Sequence, residues 1–145
     1  MKKILIVDDE KDIRFILNEI LTENQYTVVS AGTIKEAENI IINDHFDLAL
    51  LDVLLDEKSR DGLYLLSQIK KKNKDIPVIM MSGHANIQIA VNSVKDGAFE
   101  FLEKPFNQER LLNFIKRGIE FSELSTSKQN LQENIFKSFE LIGRS

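Results

Sequence analysis

Short runs of β-branched residues and leucine alternate along the chain with segments whose apolar residues recur every three or four positions. The runs at Lys3 to Val7, Tyr26 to Ala31, Leu48 to Leu51, Val78 to Met81 and Phe99 to Leu102 predict five strands. Between and after them, five sets of positions carry helical spacing: Ile13, Ile16, Leu17, Ile20 and Leu21; Ala37, Ile40 and Ile41; Leu63, Leu66 and Ile69; Ile87, Ala90, Val91 and Val94; and Leu111, Leu112, Ile115 and Ile119. Strict strand–helix alternation predicts an α/β fold, a parallel sheet covered by helices on both faces. The strands read as nearly continuous apolar runs, as burial on both faces requires. A right-handed array of five such units commonly takes the strand order 2-1-3-4-5, with its ligand crevice between the carboxyl ends of strands one and three. The residues just past those two ends are Asp8, Asp9 and Asp52.

Three carboxylates in one crevice repel one another, by roughly 3 kcal/mol per pair at about 5 Å and an effective dielectric near 20. A positive partner is therefore expected. A hard divalent cation such as Mg2+ takes oxygen ligands and keeps several waters, so a few carboxylates and a carbonyl suffice. On this reading Asp9 and Asp52 are direct ligands and Asp8 acts through water. With the local charge offset, the Asp52 carboxylate can attack phosphorus to give an aspartyl phosphate. Phosphoryl transfer also needs groups that hold the equatorial oxygens. Strand four ends in Met81-Ser82-Gly83 and strand five in Glu103-Lys104-Pro105, which predicts the Ser82 hydroxyl and the Lys104 ammonium at the crevice. Taken singly these residues have bland readings: Asp8 and Asp9 as N-caps of the following helix, Lys104 as a solvated lysine. Their coincidence at four strand ends favours the functional one.

Composition narrows the classes. The 145 residues, 43% of them hydrophobic, fit one domain with a short appendage, and a net charge of −4 gives no basic field for nucleic acid. No nucleic-acid contact by this segment is expected. With no cysteine, disulfides, thiolate metal sites and thiol nucleophiles are excluded. The run from Leu48 to Leu55 is far too short to span a bilayer, and the apolar start at Ile4 to Val7 stops at Asp8, so the N-terminus reads as mature and the protein as cytoplasmic, without a membrane association. His45 and His84 lack a partner histidine at metal spacing and read as surface or turn residues. Lys70, Lys71, Lys72 and Lys74 fall at the end of the third helix, where positive charge complements the helix dipole.

The segments Val7-Asp8-Asp9-Glu10, Leu51-Asp52-Val53, Met81-Ser82-Gly83-His84 and Lys104-Pro105-Phe106 together resemble the signature of response regulator receiver domains of two-component systems, a flavodoxin-like (βα)5 fold. The resemblance covers about residues 2 to 121. It implies Asp52 as phosphoacceptor, Mg2+, the acidic pair Asp8 and Asp9, the backbone carbonyl of Leu54 as a further metal ligand, and a sensor histidine kinase as partner. It also matches Ser82 to the switch hydroxyl, Lys104 to the phosphate-binding lysine and Phe101 to the switch aromatic, where the usual tyrosine is replaced; a plain core phenylalanine is the alternative. A cis Lys104–Pro105 bond is implied by the resemblance alone. Past Asp52, the stretch from Leu54 to Gly62 has no proline and is about two residues longer than usual. With Ser82-Gly83-His84-Ala85-Asn86-Ile87, this looks most like the NtrX-type nitrogen regulators of the sigma-54-dependent activator class.

Such a phosphorylation would draw Ser82 and Lys104 inward and shift the loop after strand four. The face made by the fourth helix, fifth strand and fifth helix is then the expected partner surface, and a homodimer through that face or through a linker helix the expected assembly. The domain is read as residues 1–121. Residues 122–139 are read as a linker helix, whose weak heptad register at Leu124, Leu131 and Ile135 permits a short coiled coil, with a helical extension packed on the domain as the equal alternative. Glu140 to Ser145 resembles the opening of an AAA+ output domain, with a plain tail as the alternative. The chain is expected to be a signalling phosphoacceptor controlling transcription, with self-catalysed transfer and slow autodephosphorylation, and no other enzyme activity. Two other classes compete. A phosphohydrolase of the haloacid-dehalogenase type would need a second acid where Leu54 stands. A phosphorylation-independent interaction module would not need every acid, hydroxyl and lysine of the set.

Overall fold

The computed structural model describes residues 1–53, 61–83 and 87–143, with side chains described in these ranges except at 61 and beyond 125. The elements alternate as expected: β1 (Lys3–Val7), α1 (Lys11–Glu23), β2 (Thr27–Ala31), α2 (Ile34–Asn43), β3 (Leu48–Asp52), α3 (Asp61–Lys72), β4 (Val78–Ser82), α4 (Ile87–Lys95), β5 (Glu100–Glu103) and α5 (Gln108–Gly143). The sheet is parallel throughout and ordered β2-β1-β3-β4-β5. Strand boundaries differ from the sequence reading by one residue at most at either end. The predicted order holds because each connection is a helix, and a right-handed crossover leaves few other arrangements.

Side chains along the central strands alternate between two cores, as the period of a strand dictates. Leu5, Val7, Ala49, Leu51, Val78 and Met80 pack on one face with Ala37 and Ile41 of α2 and Leu65, Leu66 and Ile69 of α3, with Ile89 of α4 against them. Ile4, Ile6, Leu48, Leu50, Ile79 and Met81 pack on the other with Leu17 and Leu21 of α1 and Leu111 and Ile115 of α5. Full burial on both faces holds for β1 past Lys3, β3 and β4. It does not extend to β2 and β5, which lie at the sheet edges and expose Thr27, Ser30 and Glu103. Continuous apolar runs are thus a property of the three inner strands, where neighbours cover both sides.

Helix α5 runs on unbroken past residue 121, through the whole expected linker, to Gly143. Its course just past the domain is fastened to the body. Phe121 lies 5.6 Å from Phe99, ring centre to ring centre. Ser122 Oγ donates to the Asp75 carbonyl at 2.8 Å and Glu123 pairs with Lys2 at 3.1 Å. Among the described residues no helix is long and apolar enough to cross a membrane.

Candidate functional site

The carboxyl ends of β1, β3, β4 and β5 converge on one crevice. Asp8 follows β1 and is fully buried; Asp52 ends β3 at 5% exposure; Ser82 ends β4 at 1%. Burial of two carboxylates is costly unless a cation is close by. Lys104, just past β5, supplies it. Its Nζ donates to Asp8 Oδ2 at 2.7 Å and to Asp52 Oδ2 at 3.3 Å. Burial alone would lower the Lys104 pKa, but its hydrogen bond to Asp8, with the charges of Asp8 and Asp52, carries it above the ordinary 10.5. The ammonium therefore stays protonated where a lone buried lysine would tend to lose its proton.

The backbone sets these side chains at one level. Lys104 N–H donates to the Ser82 carbonyl at 2.9 Å, so the hydroxyl and ammonium residues of β4 and β5 are coupled through the main chain. The Lys104–Pro105 bond is cis. Val53 N–H donates to the Met81 carbonyl at 2.9 Å, which carries the β3–β4 ladder one step past Asp52.

Asp8 and Asp9 do not divide as N-cap residues would. Glu10 occupies the N-cap position of α1 and makes no side-chain cap bond. Asp8 Oδ1 instead accepts the Glu10 N–H at 2.9 Å, and its own N–H donates to the Ala31 carbonyl at 3.2 Å. Asp9 is exposed at the mouth of the crevice. One oxygen each from Asp8, Asp9 and Glu10 lie within 4.8 Å of one another. Partial burial, and then the charge of Asp8, raise the Asp9 pKa above the ordinary 3.8. Three acids held this close, one with its proton affinity raised, form an oxygen donor set suited to a hard divalent cation. The donor chemistry thus fits Mg2+.

Sequence reasoning missed two residues that shape the crevice. Arg14, half-buried on α1, donates from Nη1 to the Asp8 carbonyl at 2.7 Å. Nothing in its spacing distinguishes it from a solvated helix arginine. Gly62, in the first turn of α3, lies so close to β3 that a Cβ there would meet the Asp52 carbonyl oxygen at 2.0 Å and Val53 Cα at 2.7 Å. Its signal in the sequence is the Asp61-Gly62 pair that closes the longer stretch after Asp52. Phe101 is half-buried on β5 and packs against the core that contains Val7 and Leu51. Leu54, the extended loop through Arg60, and His84 to Asn86 lie outside the described residues. His45 is exposed, 3.4 Å from Asp47.

The model of the response regulator receiver domain matches residues 4–116. The chain belongs to the response regulator receiver family. It is 37% identical over 142 residues to a putative NtrX-like response regulator of Rickettsia bellii, a match covering 98% of this chain and 30% of the relative. To the nitrogen assimilation regulatory protein NtrX of Azorhizobium caulinodans it is 38% identical over 142 residues, covering 98% of this chain and 31% of that protein. The crystal structure of NtrX from Brucella abortus in complex with ADP superposes with a TM-score of 0.82 at 38% identity, covering 90% of this chain and 29% of that one. The likeness to NtrX-type regulators expected from the sequence is therefore found. The chain spans about 30% of the length of the curated relatives it matches.

Proposed function

We propose that this receiver accepts a phosphoryl group on Asp52 in a Mg2+-dependent reaction and passes the change to partner contacts that control transcription. The observation that carries the proposal is one part-buried ammonium, Lys104 Nζ, shared between the buried carboxylates at two strand ends, Asp8 and Asp52, with the acidic mouth at Asp9 beside it. Asp9, Asp52 and the carbonyl of Leu54 would hold the cation directly and Asp8 through water. When bound, Mg2+ supplies charge neutralisation for the acidic crevice and the incoming phosphoryl oxygens.

Asp52 attacks phosphorus through a carboxylate oxygen, forming a P–O bond. The bond to the donor breaks, and the donor leaves with its electron pair: a P–N bond to the imidazole of a sensor histidine kinase, or a P–O bond to acetate from acetyl phosphate. Lys104 shifts part of its hydrogen bonding to an equatorial phosphoryl oxygen, and the Ser82 hydroxyl donates to another. The product carries roughly 1.5 to 2 negative charges. Because Lys104 and Ser82 are joined by a main-chain hydrogen bond, their movement toward the phosphoryl group displaces the ends of β4 and β5 together. Phe101 and the exposed Ile87, Val91 and Val94 of α4 lie on the face that would respond. A homodimer through α4, β5 and α5, or through the α5 extension, is the expected output.

Residues 1–121 act on this reading as the phosphoacceptor unit, 122–139 as linker helix and 140–145 as the start of an AAA+ output domain. Relatives some three times as long and named for nitrogen regulation support that assignment. A cytoplasmic two-component pathway is the setting. The domain works as a signalling phosphoacceptor, with only self-catalysed transfer and slow autodephosphorylation.

The test is intact-mass measurement after incubation with acetyl phosphate. A single phosphoryl adduct that requires Mg2+ and disappears in Asp52→Asn is expected. An adduct retained in Asp52→Asn overturns the assignment.

A further inference from the structure

Every polar group of Asp8 is engaged. Its N–H donates to Ala31, its Oδ1 accepts from Glu10 N–H and its Oδ2 from Lys104 Nζ. The fourth partner reaches furthest: Arg14 Nη1, from the second turn of α1, holds the Asp8 carbonyl at 2.7 Å. The same guanidinium lies over Gly32, just past β2. A Cβ at Gly32 would stand 2.7 Å from Arg14 Nη1 and 3.0 Å from Cζ. Gly32 in turn donates its N–H to Glu36 Oε2 at 3.2 Å, which ties the β2 end to α2. Arg14 therefore occupies a seat that spans two neighbouring strand ends, and a side chain at residue 32 would require the guanidinium to shift from its present position.

We infer that Arg14 is a positioning residue for cation binding in the acidic crevice, acting through the Asp8 carbonyl, and that Gly32 keeps its guanidinium in place. The inference rests on the Mg2+ reading above. Two effects of Arg14 oppose each other. As a cation near Asp8, Asp9 and Glu10 it disfavours Mg2+ binding; as a clamp on the Asp8 main chain it holds the turn that presents Asp9. A half-exposed charge acts through water and is screened by salt. Loss of a partner that orients a ligand typically costs 10- to 100-fold in metal affinity. The clamp is the larger effect, so the sign of the change separates the two.

The full chain and its variants are titrated with MgCl2, and the Mg2+ dissociation constant is read from the rise in melting temperature, with each metal-free melting temperature measured separately. Arg14→Met should weaken Mg2+ binding about tenfold. Gly32→Ala keeps the charge but displaces the guanidinium, so it should weaken binding in the same direction. The double variant should bind no more weakly than Arg14→Met alone, because both changes remove one interaction. Arg14→Lys keeps charge and a donor and serves if the methionine variant does not fold; it too should bind more weakly. Unchanged or tighter binding in Arg14→Met, or unchanged binding in Gly32→Ala, overturns the inference while leaving the phosphoacceptor reading intact. A wild type whose melting temperature does not respond to Mg2+ overturns both.

Discussion

Replacing Lys104 with methionine removes the one ammonium that faces Asp8 and Asp52 among the described residues while keeping most of the side-chain volume. At 2.7 and 3.3 Å and an effective dielectric of 20, the two ion pairs are worth about 6 and about 5 kcal/mol before solvation is counted. Desolvation of three charged groups cancels most of that. Removing one member of a buried pair typically costs about 3–5 kcal/mol. The expected loss in Mg2+-free buffer at pH 7 is thus about 3–5 kcal/mol, roughly a 10–20 °C fall in melting temperature for a domain of this size. At the alkaline end the wild type behaves differently. Its Lys104 pKa is raised above 10.5, so the stabilisation is complete below 10.5 and is lost as pH rises through the folded value. The variant lacks that alkaline loss. Denaturant unfolding at pH 7 and well above pH 10.5 measures both, and a variant within about 0.5 kcal/mol of wild type at pH 7, or a deficit that does not shrink at the alkaline end, refutes the reasoning.

Three further outcomes are expected. Gly62→Ala gains about 1 kcal/mol of helix propensity, but the new Cβ, 2.0 Å from the Asp52 carbonyl oxygen, forces α3 away from β3; a net loss of about 1–3 kcal/mol should lower the urea midpoint, and a more stable variant refutes the close approach. Asp9→Asn should raise the melting temperature of the Mg2+-free protein at pH 7, because a carboxyl whose folded pKa is raised opposes folding once ionised, and acidification through the ordinary 3.8 should erase the difference. Ser122→Ala removes the bond to the Asp75 carbonyl, worth about 1 kcal/mol, so amides of the α5 segment around residues 119–125 should exchange about fivefold faster while the overall melting temperature hardly moves; a global fall instead would mean that the segment unfolds only with the whole domain.

The sheet order and the crevice were readable from the sequence because they follow from a repeated local pattern, strand then helix, and from where a parallel sheet must open. Asp8, Asp52 and Ser82 were legible for the same reason, each being the first polar residue at a strand end, and Lys104 follows Glu103 at the end of the fifth strand. What the pattern cannot carry is contact between residues far apart in sequence. Arg14 is one of several charged residues on α1, and its grip on the Asp8 carbonyl depends on the space above Gly32, an absence of atoms 18 residues away. The packing of Gly62 against Asp52 depends likewise on the path of a loop. The burial of β2 and β5 was overstated because apolar composition does not tell an edge strand from an inner one. The helix past residue 121 was expected as a linker, but its seamless junction with α5 was not marked, because Ser122, Glu123 and Ser125 interrupt the apolar spacing there; Ser122 and Glu123 are the residues that pin the helix to Asp75 and Lys2.

The arrangement around Lys104 also bears on how such a site can hold two charge states. Without phosphate its ammonium offsets Asp8 and Asp52, and Asp9 and Glu10 are left to the mouth. On the proposed reading, phosphorylating Asp52 to the acyl phosphate removes its carboxylate charge and adds a phosphoryl group with about 1.5 to 2 negative charges a bond length further out. Asp8 is held by its own four hydrogen bonds and cannot follow, so the ammonium is the mobile charge. Its backbone N–H is bonded to the Ser82 carbonyl, and the chain behind it runs through Phe101 to Phe99, whose ring meets Phe121 on α5. A short displacement of Lys104 therefore has a covalent route along β5 to the first residues of the helical extension. On that reading the side of the site formed by β1 with Asp8 and Arg14 and the side formed by β4 and β5 with Ser82 and Lys104 are joined by the bond from Lys104 Nζ to Asp8 Oδ2, and the same nitrogen reaches Asp52 on β3. A variant that weakens the β5–α5 contact without touching those bonds, such as Phe121→Ala, should leave phosphoryl uptake at Asp52 intact and change only what the helix beyond residue 121 does with it.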